Sequence, residues 1–145
     1  MGVTKKIAML QAILLATVLA IALLASGAPG RDPSRKIPCK TAEIAAMCYW
    51  THGRLGTYNG NPTYRIWKIG THRILGVRSG PSAMRDANDS MNPEFPANVD
   101  QAYKEPFDWI FADFEVCPLE PEHAGWMQHV CIESAKNIFV KHVKD

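Results

Sequence analysis

The sequence predicts an all-β domain, a small five-stranded barrel, on three observations. Cys48 to Val77 reads as three short strands joined by two tight turns (CYWTHGRLGTYNGNPTYRIWKIGTHRILGV). Phe107 to Glu133 reads as two further strands about a turn. Between the two groups lies a connection, Ser79 to Pro106, rich in Asn, Asp, Ser and Pro. Strand segments dense in β-branched and aromatic residues and bounded by Gly, Pro and Asn are the sequence signature of short-stranded β-domains. A small β-sandwich is the alternative, because strand order along the chain does not fix strand pairing.

The chain has 145 residues, room for one domain. Its beginning reads as a delivery segment. Met1–Lys6 carries two lysines and no acid, and Ile7 to Ala28 is an uncharged run of mainly Ala, Leu and Ile. That layout describes a secretory signal, with the small residues Ala25 and Gly27 placing cleavage after Gly27. The run is also long enough to cross a bilayer as a helix, so a retained N-terminal membrane anchor is the rival reading. Residues 29–38 (PGRDPSRKIP) read as a linker. Residues 39–145 read as the single β-domain. The expected location is the periplasm or the exterior, or the inner membrane if the anchor is kept.

The charge is asymmetric. Arg31 to Arg85 holds ten basic residues and two acids, whereas Asp86 to Asp145 holds four basic residues and twelve acids. The plain expectation is that the halves pack together and cancel; the sharper one is a basic face for an anionic ligand.

Four cysteines lie outside the leader: Cys39, Cys48, Cys117 and Cys131. An even count in an exported domain predicts disulfides. If the last two strands form a hairpin about Glu120–Trp126, residues whose numbers sum to 248 face each other. Cys117 and Cys131 do so, which favours a Cys117–Cys131 bridge and leaves Cys39–Cys48 as the second.

Taken in order, Thr41–Met47 is expected to form a short helical segment capped by Thr41 and plugging one end of the barrel. The first strand runs from about Cys48 to Tyr58, bent at Gly53 and Gly56. Asn59-Gly60 signals a hairpin turn, because both residues accept positive φ. The second strand is Thr63–Ile69, and Arg73–Arg78 is the third. Ser79 to Pro106 is expected to be a solvated excursion, or alternatively a lid or a binding loop, with a short helix near Val99–Lys104. The fourth strand lies within Phe107–Leu119, with Phe114 and Val116 on one face and Asp113, Glu115 and Cys117 on the other. The fifth is Met127–Glu133, with Val130 and Ile132 inward, and Ile138–Val143 extends it or adds an edge. Three meandering strands, a long connection and a hairpin give the order of an OB-type Greek-key barrel.

The pattern C-x-W-x-H-G-R-L, then Y-N-G-x-P-x-x-R-I-W, then G-T-x-R-x-L-G-V occupies Cys48, Trp50, His52–Leu55, Tyr58–Gly60, Pro62, Arg65–Trp67, Gly70-Thr71, Arg73 and Leu75–Val77. With Asp113–Leu119 and Met127–Ile132 it resembles a group of small exported bacterial proteins. The resemblance covers most of residues 48–140. It implies export and a β-fold, and no activity.

Chemical motifs are sparse. No two histidines have metal-ligand spacing. A site from Cys117, His129 and Cys131 is conceivable, but disulfides would consume the thiolates, so no metal or cofactor is expected. There is no G-x-S-x-G, H-E-x-x-H or C-x-x-C motif. Asp113 and Glu115 are spaced as a carboxylate pair on one strand face, which makes a small acid–base or metal-dependent hydrolase the runner-up. A membrane-anchored accessory subunit is a third reading.

The leading expectation is a non-catalytic binding or structural module. In OB-type barrels, ligands lie across strands two and three beside the loops joining strands one to two and four to five. Here that surface would hold Arg65 and Trp67 from strand two and Arg73 and Arg78 from strand three. Tyr58 and Asn59 would come from one loop, His123 and Trp126 from the other. Arginines interleaved with rings suit an anionic polymer, and an envelope protein is the other partner class. Membrane contact is expected only through residues 7–28. Either Trp67 with Ile69 or Tyr64 with Ile66 must face the core, and in the first case half the site disappears.

Overall fold

A computed structural model of the protein describes residues 35–104 and 107–143. The expected signal or anchor, and most of the expected linker, lie outside the described residues. Five strands alternate with turns: β1 (Tyr49–Thr57), β2 (Tyr64–Lys68), β3 (Ile74–Val77), β4 (Trp109–Pro118) and β5 (Gln128–Lys141). A short helix α1 (Ala97–Ala102) lies between β3 and β4. The strands close into a barrel in the order β1-β2-β3-β5-β4. All pairs are antiparallel except β3 with β5. That is the five-stranded Greek-key barrel expected from the chain order, and the sandwich alternative falls.

Period-two alternation builds the core. Leu55, Ile66, Leu75, Val77, Ile110, Phe114, Val116, Val130 and Ile132 are fully buried and face inward. Burying each such side chain contributes about 1.5–3 kcal/mol. Ile66 is inward, so Trp67 lies on the outer face of β2 rather than in the core. β5 is one continuous strand, and the β4–β5 register slips at Phe111/Asp113 and at Glu115/Val116. Such bulges bend a long hairpin so that it can close a barrel.

Three local expectations need correction. The loop between β1 and β2 is not a two-residue turn. Tyr58 N–H donates to Thr63 O, and only Gly60 of the Asn59-Gly60 pair has positive φ (100°). The Thr41–Met47 segment is a single 3₁₀ turn, Ala45–Met47, with no buried residue and no side-chain cap. The apolar plug comes from α1, whose Val99 is fully buried in the barrel core. The helix begins at Ala97, two residues before its expected start, and Asn98 Nδ2 donates to Ala135 O at 2.6 Å.

The described part of the connection, residues 79–104, is not a solvated excursion. Ser79, Asp89, Ser90 and Val99 are buried. The Asp89 carboxylate accepts the Ser79 N–H at 3.1 Å and the Ser79 hydroxyl, and Ser79 Oγ accepts the Glu94 N–H at 2.6 Å. A buried carboxylate that satisfies a loop's own donors fixes the loop. Residues 35–38 also belong to the fold rather than to a linker. Arg35 donates to Ile132 O and Ser79 O, and Glu94 Oε2 accepts the N–H groups of Lys36 and Ile37 at 3.0 and 2.9 Å.

The cysteine pairing differs from the expected one. Cys39 bonds Cys131, and Cys48 bonds Cys117. The hairpin register itself is as expected, with Cys117 opposite Cys131. What redirects the bonds is closure of the barrel: β1 pairs with β4 so that Tyr49 faces Val116, which carries Cys48 to Cys117. The strap at residues 35–40 then brings Cys39 over the outward-facing Cys131.

Candidate anion-binding face

The outer surface of β1 and β2 is built from cations and rings. Arg54 faces Trp67 across the β1–β2 ladder. Its guanidinium lies 4.8 Å from the Trp67 ring centre and 3.6 Å from that of Trp109 on β4. Trp109 reaches this position because Gly56 presents no side chain; a Cβ there would sit 3.3 Å from the Trp109 ring. Trp67 is held in turn by its indole N–H, which donates to Thr71 O at 2.8 Å. A cation between two rings gains about 0.5–1 kcal/mol per contact where partly exposed.

Arg65 stands one step along the same face, opposite Gly56. Its Nε donates to Pro62 O at 2.9 Å, and its Nη2 donates to Asn59 O at 3.1 Å. Its guanidinium also lies 5.4 Å from the Tyr58 ring. Arg54 Nη2 donates to the Tyr58 hydroxyl at 3.1 Å, which joins the two arginines through one ring. Arg78, just beyond β3, donates to Asp86 O at 2.9 Å. The Nε atoms of Arg54 and Arg78 are shielded from solvent and have no hydrogen-bond partner.

The eight expected ligand residues therefore divide. Tyr58, Asn59, Arg65 and Trp67 come together. Arg78 lies just past the end of β3, beyond Pro62, which covers Gly76. Arg73 does not share their face. Lys68 N–H donates to Arg73 O, so Arg73 takes the parity of Lys68 and alternates with Ile74. It forms an ion pair with Glu122 at 2.7 Å, although its N–H geometry falls short of a hydrogen bond. Arg73 and Trp126 line a shallow pocket of ≈ 230 Å³ with His72 and Met127, and Trp126 is 77 % exposed. His123 lies in the same β4–β5 loop, where its carbonyl accepts the Trp126 N–H at 3.2 Å. Arg54 and Trp109 were not among the expected residues. The alternation of Trp50, His52 and Arg54 with Gly53 and Leu55 signals an outward Arg54; nothing local signals Trp109.

The acidic strand face does not form a carboxylate pair. Asp113 accepts from Asn137 at 2.7 Å and contacts His52 Nδ1 at 2.9 Å, and these two hydrogen bonds hold its carboxyl below the usual range. Glu115 is bound instead by Lys40 at 2.7 Å and Ser134 at 3.0 Å. All four cysteines are in disulfides, and His129 Nδ1 meets Glu120 at 2.6 Å, so the Cys117–His129–Cys131 set offers no thiolate.

The chain matches no protein-family model, no curated protein and no solved structure. Fold and site define the class on their own: a disulfide-stapled OB-type barrel with an arginine-and-tryptophan outer face. Its two disulfides suit an oxidising environment. Among the described residues no helix is long and apolar enough to cross a membrane.

Proposed function

We propose that the protein is an exported, non-catalytic binding module of a bacterial envelope that takes an anionic polymer on its Arg54–Arg65–Trp67 face. One observation carries this reading. Among the described residues, Arg54, Arg65 and Arg78 form no ion pair with a carboxylate. Their recorded bonds go to a tyrosine hydroxyl and to backbone carbonyls. Three positive charges, on β1, on β2 and just beyond β3, are thus oriented but not neutralised. The partly exposed Trp67 and Trp109 rings beside them offer stacking surface for sugar or base faces. The leader segment, the disulfides and the resemblance to small exported bacterial proteins support delivery to the envelope.

Heparin serves as a sulfated polysaccharide probe, followed by tryptophan fluorescence. The Arg65→Glu/Arg78→Glu double variant should bind at least 10-fold more weakly while its melting temperature stays within a few degrees of the native value. Native binding should also weaken with added salt, because all three arginines are partly open to solvent, where ions screen them. Equal affinity of native and variant protein would refute the assignment.

A further inference from the structure

The two disulfides meet. The sulfurs of Cys39, Cys117 and Cys131 lie within 4.8 Å of one another, in a small apolar cluster with Ile44, Cys48 and Leu119. Cys39, Cys117 and Cys131 are at most 1 % exposed, whereas Cys48 is only partly buried. Cys117 and Cys131 are also direct partners across the β4–β5 ladder, and Cys131 Sγ lies 3.8 Å from Cys117 O. Partners across an antiparallel ladder have Cα atoms about 4.5–5.5 Å apart, within the range a disulfide spans. A third bridge, Cys117–Cys131, is therefore geometrically prepared but unused.

We infer that these four cysteines form a thiol–disulfide exchange site that accepts electrons from a dithiol at Cys48 and passes the opening to Cys39. A thiolate of the dithiol attacks Cys48 Sγ. The Cys48–Cys117 bond breaks, a mixed disulfide forms at Cys48, and Cys117 leaves as a thiolate. That thiolate attacks Cys131 Sγ, which forms Cys117–Cys131 and expels Cys39 as a thiolate. The second thiolate of the dithiol then releases Cys48. Overall, one dithiol is oxidised to its disulfide, two protein disulfides become one, and Cys39 and Cys48 take up the two protons as thiols. Exchange proceeds through a mixed disulfide of this kind whenever a thiolate reaches a disulfide sulfur.

The exchange has a structural consequence. Cys39 is the covalent tie between the 35–40 strap and β5. After exchange the strap is held by the hydrogen bonds of Arg35 and of Glu94. The barrel keeps a disulfide within the β4–β5 hairpin.

Two measurements decide the matter. In the first, native protein is treated with less than one equivalent of dithiothreitol, quenched in acid, alkylated and mapped by peptide mass spectrometry. The two-thiol species should carry labels on Cys39 and Cys48 and a Cys117–Cys131 bridge. Labels on Cys48 and Cys117 with Cys39–Cys131 intact, labels on Cys39 and Cys131, or passage straight to four thiols would each overturn the relay. In the second, the Cys48→Ala variant leaves Cys117 unpaired from the start. At least half of its molecules should carry Cys117–Cys131 with Cys39 labelled, and predominant retention of Cys39–Cys131 would overturn the relay independently.

Discussion

Gly56 makes room for Trp109 on the outer face of β1, and Gly53 makes room for the core on its inner face. At Gly53 an added Cβ would lie 2.4 Å from Ile66 Cγ2 and 3.2 Å from Trp67 O, so the buried Ile66 side chain already occupies the space a side chain there would need. Gly53→Ala should therefore destabilise the domain by about 1–3 kcal/mol, read from urea unfolding. Unchanged stability would mean that Ile66 does not fill the space beside Gly53. The sequence announced both glycines as points where β1 bends, and period-two alternation placed Trp67 correctly only as one of two options. Trp109 was not legible. It joins Arg54 through the β1–β4 pairing, which spans more than fifty residues and has no local signature.

At the level of elements, strand positions were readable because alternation and turn residues are local. The inward set of β4 and β5 and the hairpin register about Glu120–Trp126 follow from them. The disulfides were not readable, because they depend on which strands meet when the barrel closes. The same limit explains the packed connection between β3 and β4: its polar composition suggests solvent, yet Asp89 and Ser79 satisfy each other and let the segment be buried. The β4–β5 loop carries a pH dependence. Burial tends to raise the Glu120 carboxyl, but the backbone and ring hydrogen bonds from His129, with the ring's charge, outweigh it and lower its pKa. A depressed folded pKa stabilises above the ordinary glutamate pKa of about 4.3, and that stabilisation is lost as pH falls through the depressed value. The stability difference between native protein and Glu120→Gln should shrink as pH is lowered from 6 to 2.5. A difference constant across that range would exclude the proposed role of Glu120.

For the whole molecule, the basic and acidic halves of the chain do pack and cancel in part. Lys40–Glu115, Arg73–Glu122 and His52–Asp113 each join a residue of the basic half to one of the acidic half. Among the described cations left without a carboxylate partner, Arg54, Arg65 and Arg78 are the arginines gathered on β1, on β2 and just beyond β3, with Trp67 and Trp109 beside Arg54. The most direct test of the account is a heparin-oligosaccharide titration of ¹⁵N-labelled protein followed by two-dimensional NMR. Shift changes should concentrate on Arg54, Tyr58–Arg65 and the indole N–H groups of Trp67 and Trp109, and should fade as salt is raised. Saturable changes centred instead on the Arg73–Trp126 pocket, or no changes at all, would contradict the central claim that this face is the binding site.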